Sequence, residues 1–468
     1  MGYDMEDLAQ KTIDHVTDLG AQFADLRIED SQGTNIVVMD GKTKTVTARL
    51  SKGCGVRAFV GGAWGFSVTN DLSLKSLRLA AESAVRMAKV AESRAKIKFE
   101  IESGKAEHAT EVYRCDERPG EISVEEKVGF VMDLDKSMKS INPKITSTNA
   151  RYDDFEGIRI VANSFGTLLR TEDTWILGAC SAWAKDGEVI QRGHHSVGSV
   201  GGYELMRKED SIAIGRTAAE QALRLLDSKP TPAGKFTCIL DNVMTGLLAH
   251  EAFGHACEAD AILQGASVLE GRIGEKVASD EISLIDDPRV EGSFGYFSYD
   301  WEGVPSSKHV LIENGILKGF LHNLETSSRM GIPPNGSARS ENYGSPPIIR
   351  MSNTYIAGGD WDREELIRDT PDGLLIKGAQ YGYVEPSKGQ FMFKCDEAYE
   401  IVKGELCQRY RDASLSGVIL EVLGHVSGLA NDFKMTDPGY CGKNGQSART
   451  TDGGPHMRID EVVVGGLT

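Results

Sequence analysis

Apolar positions follow two rhythms along the chain. Residues Asp4 to about Leu19 carry them at helical spacing, and behind them ADLRIED, TNIVVMD and TKTVTARL alternate with period two, as half-buried strands do. Asp40-Gly41 separates two of these runs and Gly61-Gly62 divides GVRAFV from AWGFSVT, so both read as hairpins of an antiparallel sheet. An Ala- and Leu-rich helix follows, LKSLRLAAESAVRMAKVAES, with Asn70 or Asp71 as its cap. A further helix, about Ser123 to Lys139, leads into KITSTNARYD, GIRIVANS, GTLLRTED, TWILGACSAWAKDG and EVIQRGHHSVG. Turn residues at short intervals there predict a series of short antiparallel strands rather than β-α-β units. A helix over 210–227 closes the series.

The stretch DSKPTPAGK, two prolines and a glycine among polar residues, is the clearest linker. It places a boundary near Lys229, with an N-terminal α+β domain over 1–229 and a β-rich C-terminal domain over 230–468. Helices beginning around Asp241 and Asp362 interrupt the second. The expected fold class is α+β: two domains, largely antiparallel sheets and flanking helices, which suits 468 residues.

Composition narrows the partners. Lys plus Arg number 52 against 69 Asp plus Glu, and a net charge of −17 argues against nucleic acid, whose phosphates demand a basic face. No run of about 18 apolar residues is present, so no membrane span is expected. MGYDMEDLAQ has acids where a signal peptide needs cations, and Glu6 stands where a myristoylation signal wants Ser or Thr; the cytoplasm is the expected location. Eight scattered cysteines suit reduced thiols rather than a disulfide framework.

The chemistry concentrates in DNVMTGLLAHEAFGHACEAD, residues 241–260, which delivers His250, Glu251 and His255 on one helix. Two histidines with a glutamate beside the first is a zinc-hydrolase pattern. Here the spacing is i, i+5, and a regular helix at about 100° per residue would leave the imidazoles about 140° apart. One metal can take both only if the helix loosens, through a π-bulge or a break at Gly254. A structural reading, with His250 ending an apolar face and His255 beside a C-cap, competes; Glu251 between them favours metal. Candidates for a third ligand are Cys257, Glu258, Asp260, His322, His425 and Cys441. Cys257 reads better as a small buried hydrophobe. Glu258 suits either ligation or a hydrogen bond to a ligand imidazole. Cys441 lies in a glycine-rich loop, where nearby Lys443 favours the thiolate.

HEAFGHACEAD, GVRAFVGGAWGFSVTND, PPIIRMSNTYIAGGD, KGAQYGYVEPSKGQFMFKCDEAYEI and CGKNGQ together resemble the TldD/PmbA family of metallopeptidases, nearly end to end. The His-Glu-x-x-x-His motif with a distal cysteine is that of the catalytic, TldD-like members. The resemblance implies one Zn2+ per chain held by His250, His255 and Cys441, with Glu251 as the general base that activates a zinc-bound water. It also implies a homodimer, or a heterodimer with a PmbA/TldE-like subunit, enclosing a tunnel that admits short or unfolded peptides. Two other readings compete: a non-catalytic peptide-binding or assembly subunit, and a zinc hydrolase of a non-peptide amide. After CGKNGQ the tail SARTTDGGPHMRID is more polar than the apolar, glycine-rich segment the family leads one to expect.

Residue type nominates His322, His425, Tyr381 and Tyr383 to stabilise an oxyanion. Polar groups around Arg350, Met351, Ser352 and Asn353 suit a groove that accepts a peptide by strand addition. His194 and His195 read as surface residues, and Trp64 as core packing.

Overall fold

Phe23–Met39 folds back on Lys42–Val60 through Asp40 and Gly41, whose φ angles of 52° and 75° are those an Asp-Gly hairpin turn supplies. The computed structural model describes residues 4–102 and 104–465. In it these strands join Ala63–Thr69, Ile145–Asn163 and Leu168–Asp186 in one antiparallel array. Val189–Val200 and His108–Val112 both pair with Leu168–Asp186, the latter in parallel, completing seven strands.

The runs expected as separate short strands are fused. Ile145–Asn163 and Leu168–Asp186 are each 19 residues long, and Gly33 and Gly157 lie inside strands instead of ending them. A Cβ on Gly33 would overlap the Asp154 carbonyl, and one on Gly157 would sit 2.6 Å from Ser31 Cβ. Glycine in a strand marks a close backbone approach as readily as a turn.

Helices Met5–Asp18 and Leu74–Glu92 cover one half of this sheet, and Val124–Ser140 and Ser211–Leu226 the other, each pair closing its own apolar cluster. Ser73 caps Leu74–Glu92, in place of the expected Asn70 or Asp71. Its hydroxyl accepts from Ser76 N at 3.3 Å, while Asp71 braces the cap by accepting from Ser73 N at 2.9 Å. Trp64 packs on Phe23 and Phe59, as expected, and also donates its indole N–H to Glu325 at 3.0 Å.

Beyond Leu226 the chain forms an eight-stranded sheet, which includes Gly234–Leu240, Asp372–Glu385, Gln390–Val402 and Met457–Gly465, and a six-stranded sheet. The six-stranded sheet pairs Asn353–Ile356 in parallel with Gln446–Gly454, itself antiparallel to Lys434–Lys443. The helices at Asn242 and Arg363 stand where expected, and the pattern missed Leu324–Met330 and Ile419–Gly424, which are too short to show a helical period. The linker is tied down: Lys229–Pro230 pairs with Tyr410–Arg411, and Thr231 N donates to Arg411 O at 3.0 Å.

The N-terminal sheet docks on the rest through buried charge. Arg57 binds Asp25 and, at 2.6 Å, Glu302 from a loop of the second half. His194 and His195 are half-buried rather than on the surface; His194 Nδ1 faces Asp396 of Gln390–Val402 at 3.6 Å, because the strand that carries it packs against that sheet. Among the described residues no helix is long and apolar enough to cross a membrane.

Candidate metal centre

Asp241 caps the helix that carries the motif, accepting from Met244 N at 2.9 Å and from Gly378 N at 3.1 Å. The helix is α over Asn242–Leu247, π over Leu248–Gly254 and 3-10 over His255–Cys257. His255 N–H donates to His250 O, the i+5 bond of a π turn. That bond sets the second imidazole one turn above the first, with ring centroids 5.4 Å apart and planes perpendicular. The loosening at Gly254 has a steric companion: a Cβ there would overlap Met351 Sδ, and Met351 is buried. The i, i+5 spacing thus has the helix distortion it required.

Cys441 arrives from Lys434–Lys443, its sulfur 3.4 Å from His255 Nε2. One donor atom from each of His250, His255 and Cys441 lies within 4.8 Å of the others. Arg350 fixes the cysteine strand by donating to the carbonyls of Cys441 and, at 3.1 Å, Gln446. Asp286 pins the neighbouring segment, accepting from Ser352 N at 2.9 Å and Thr354 Oγ1 at 2.8 Å. Arg350, Ser352 and Asn353 are buried and brace the site instead of lining an open groove: Arg350 holds two carbonyls, Ser352 donates to Asp286 and Asn353 Nδ2 donates to Asp287 O at 2.8 Å.

Around the donors lies a layer of charge. Glu258 accepts from, or shares a proton with, His255 Nδ1 at 2.9 Å, and Lys443 reaches Glu258 at 3.1 Å and Asp260 at 2.7 Å. This orients the imidazole and leaves its Nε2 towards the cysteine. Burial would raise the Cys441 pKa, but His250 and His255 beside it outweigh burial and hold the thiol down to about 4. Burial would lower both histidines; Cys441 lifts His250 above its usual value, and Glu258 with Cys441 lifts His255 well above. Burial would likewise raise Glu258, and His255 and Lys443 reverse it.

Two imidazoles and a thiolate are a borderline-soft set that suits zinc, and the buried His250 Nδ1 has no partner of its own. Glu251 Oε2 stands 3.9 Å from His255 Nε2 and its side chain is 25% exposed, facing a cavity of about 460 Å³ that Tyr383 and Lys443 also line. A Cβ on Gly382 would lie 3.2 Å from Glu251 Cγ, so the glycine in the facing strand gives the carboxylate its room.

The other candidates lie elsewhere. Cys257 is fully buried, and burial pushes its thiol up. His322 bonds Thr326 Oγ1 at 3.1 Å and stands outside the donor cluster, and His425 is exposed at the end of Ile419–Gly424. Tyr381 and Tyr383 are exposed, and only Tyr383 lines the cavity. Sequence reasoning missed Arg350 and Gly382 as supports of the site; both fall within the segments that carried the family resemblance.

Models of the PmbA/TldA metallopeptidase match in three parts: domain 1 over residues 24–88, the central domain over 117–226 and the C-terminal domain over 233–466. A metalloprotease of Methanothermobacter thermautotrophicus is 40% identical over 95% of this chain and 96% of that protein. A zinc metalloprotease TldD homolog of Saccharolobus solfataricus is 27% identical over 97% and 99%. The solved structure of TldE from Thermococcus kodakarensis shares the fold, with a TM-score of 0.77 at 20% identity over 98% and 100%. On these matches, which run from end to end, the chain belongs to the PmbA/TldD family of metallopeptidases.

Proposed function

We propose that the chain is a zinc-dependent peptidase acting on short or unfolded peptides, with His250, His255 and Cys441 as ligands and Glu251 as general base. The observation that carries this reading is the π turn, which stacks two histidines of i, i+5 spacing beneath a cysteine from a distant strand. Bound there, zinc would lower the pKa of a coordinated water to about 7 and polarise the scissile carbonyl.

The remaining work falls to the chain. Glu251, beside the donors but outside the cluster, takes a proton from the attacking water and delivers it to the leaving amine. Glu258, held by Lys443, keeps the His255 ring in orientation. The strand edge at Gly382 and Tyr383 and the cavity beside it receive the extended peptide by main-chain pairing, the mode that selects for unfolded segments. This chemistry belongs to residues 230–468, divided from the N-terminal part at Lys229. On this reading the chain works in the cytoplasm as a dimer with itself or with a TldE-like chain, around an enclosed tunnel; the fold it shares with a TldE protein bears on the second kind of partner.

The test is elemental analysis of purified wild type and Cys441→Ala, each assayed on an unstructured peptide. About one zinc per chain, lost together with cleavage in the variant, is the expected result. Full zinc in Cys441→Ala would remove the cysteine from the ligand set, and absence of zinc from gently purified wild type would sink the catalytic reading.

A further inference from the structure

The hairpin that delivers Cys441 has a second face. Tyr440 pairs with Arg449 and Cys441 with Ala448, so on the alternating strand Cys441 points to the histidines and Tyr440 and Arg449 point the other way. There, between the hairpin and the N-terminal sheet, lies a cavity of about 590 Å³. Trp175 stands in its wall, 6.2 Å from the Tyr440 ring and beneath the Arg449 guanidinium.

The cavity is cationic inside a chain of net charge −17. Five arginines line it against four carboxylates: residues 49, 151, 159, 339 and 449 against 29, 153, 173 and 341. Asp153 takes Arg49 and Arg151, and Asp173 takes Arg449 at 2.8 Å. Arg159 and Arg339 are only 8% and 3% exposed, and neither forms an ion pair within 4 Å among the described residues; the carboxylate that Arg159 faces across the cavity is Glu29. Arg159 lies 3.7 Å over the Trp301 ring. Arg339 spends Nη1 on Met351 O at 2.8 Å and leaves Nε without an acceptor, and Arg449 Nη1 is likewise unpartnered. Buried guanidinium groups with spare N–H donors are costly unless an anion completes them.

We infer that this cavity binds a carboxylate of the peptide substrate, an acidic side chain or the chain terminus, between Arg159, Arg339 and Arg449, with Trp175 and Trp301 against its apolar part. The inference rests on the peptidase reading. Proximity supports it, since Met351 both accepts from Arg339 and packs on Gly254 of the motif helix. Planar guanidinium groups offer a carboxylate paired N–H donors, and a carboxylate held that way outcompetes its amide.

Binding is to be measured on the full-length zinc-loaded Glu251→Gln protein with four versions of one unstructured peptide: Glu or Gln side chains, each with a free or an amidated C-terminus. We expect the carboxylate forms to bind about tenfold or more tightly. Whether the gain follows the side chain or the terminus identifies the source, and both Arg159→Gln and Arg339→Gln should bring the peptides to near parity. Arg339→Lys should restore part of the preference, and unchanged affinity for the uncharged peptide shows that the variants are folded. Equal binding of all four peptides by the unsubstituted site, or a preference that survives both Gln variants, overturns the assignment. If no peptide binds and wild type cuts none, the peptidase reading has failed and N-acetylglutamate becomes the probe, followed by tryptophan fluorescence. Saturation lost in Arg339→Gln would then keep the anion site, and no saturation would refute it.

Discussion

Leu74–Glu92 and the helix that carries His250 are among those that lie against a neighbour at a glycine, and they place that glycine on opposite sides of the contact. Leu74–Glu92 is regular for 19 residues, and the glycine belongs to its partner strand: a Cβ on Gly65 would overlap the carbonyl of Ala84. In Asn242–Cys257 the glycine is in the helix, Gly254 against Met351, and the hydrogen bonding changes from α to π to 3-10. A glycine in the strand lets a regular helix approach and keeps its 3.6-residue period for packing. One in the helix weakens the α pattern and allows the wider turn that aligns His250 with His255. The first arrangement serves stability, and the second gives up regularity to gather donors.

The largest break in that comparison comes from Glu251→Gln, which leaves both helices and the three donors in place. Cleavage should fall by about 10²- to 10⁴-fold while zinc content stays at the wild-type level, read by peptide assay beside elemental analysis. A loss of zinc in parallel would mean that Glu251 is a ligand.

Next comes Glu258→Gln. Without the carboxylate that orients His255, zinc affinity should drop by about 10- to 100-fold in a competition with a chromophoric chelator. Unaltered affinity would make the Glu258–Lys443 pair a matter of packing alone.

Alanine at the two glycines sharpens the contrast itself. Gly65→Ala should cost about 1–3 kcal/mol in denaturant unfolding and spare zinc affinity, because the strain falls on a helix remote from the donors. Gly254→Ala should weaken zinc binding even where unfolding shows a smaller loss, since alanine favours the α geometry that separates the histidines. The opposite pattern would refute the division of roles.

The smallest effect is a proton count. Histidines raised above their usual pKa keep protons that a metal must displace, whereas Cys441, held down to about 4, is already a thiolate near neutrality. Zinc loading of metal-free protein should therefore release fewer protons, and bind more tightly, as pH rises from about 6 to 9. Calorimetry in buffers of different ionisation enthalpy reads both, and a release that grows with pH would contradict the sign.

The sequence by itself determined what short windows encode. The Asp40-Gly41 hairpin, the amphipathic helix after Asp4 and the need for a loosened turn between His250 and His255 all follow from residues within about one or two turns of each other. It divided ADLRIED from TNIVVMD and KITSTNARYD from GIRIVANS, which are single strands running through Gly33 and Gly157, because a glycine reports only that something comes close and not whether it is a turn or a neighbouring strand. The third donor was beyond its reach on spacing alone. Cys441 lies 186 residues from His255, and its place depends on the parallel register of Asn353–Ile356 with Gln446–Gly454, on the hairpin at Lys434–Lys443 and on Arg350 gripping the Cys441 carbonyl. Charge divides in the same way. The sum of −17 belongs to the chain, but only long-range packing gathers Arg159, Arg339 and Arg449 behind the cysteine, since burial and pairing arise between segments that local patterns cannot join.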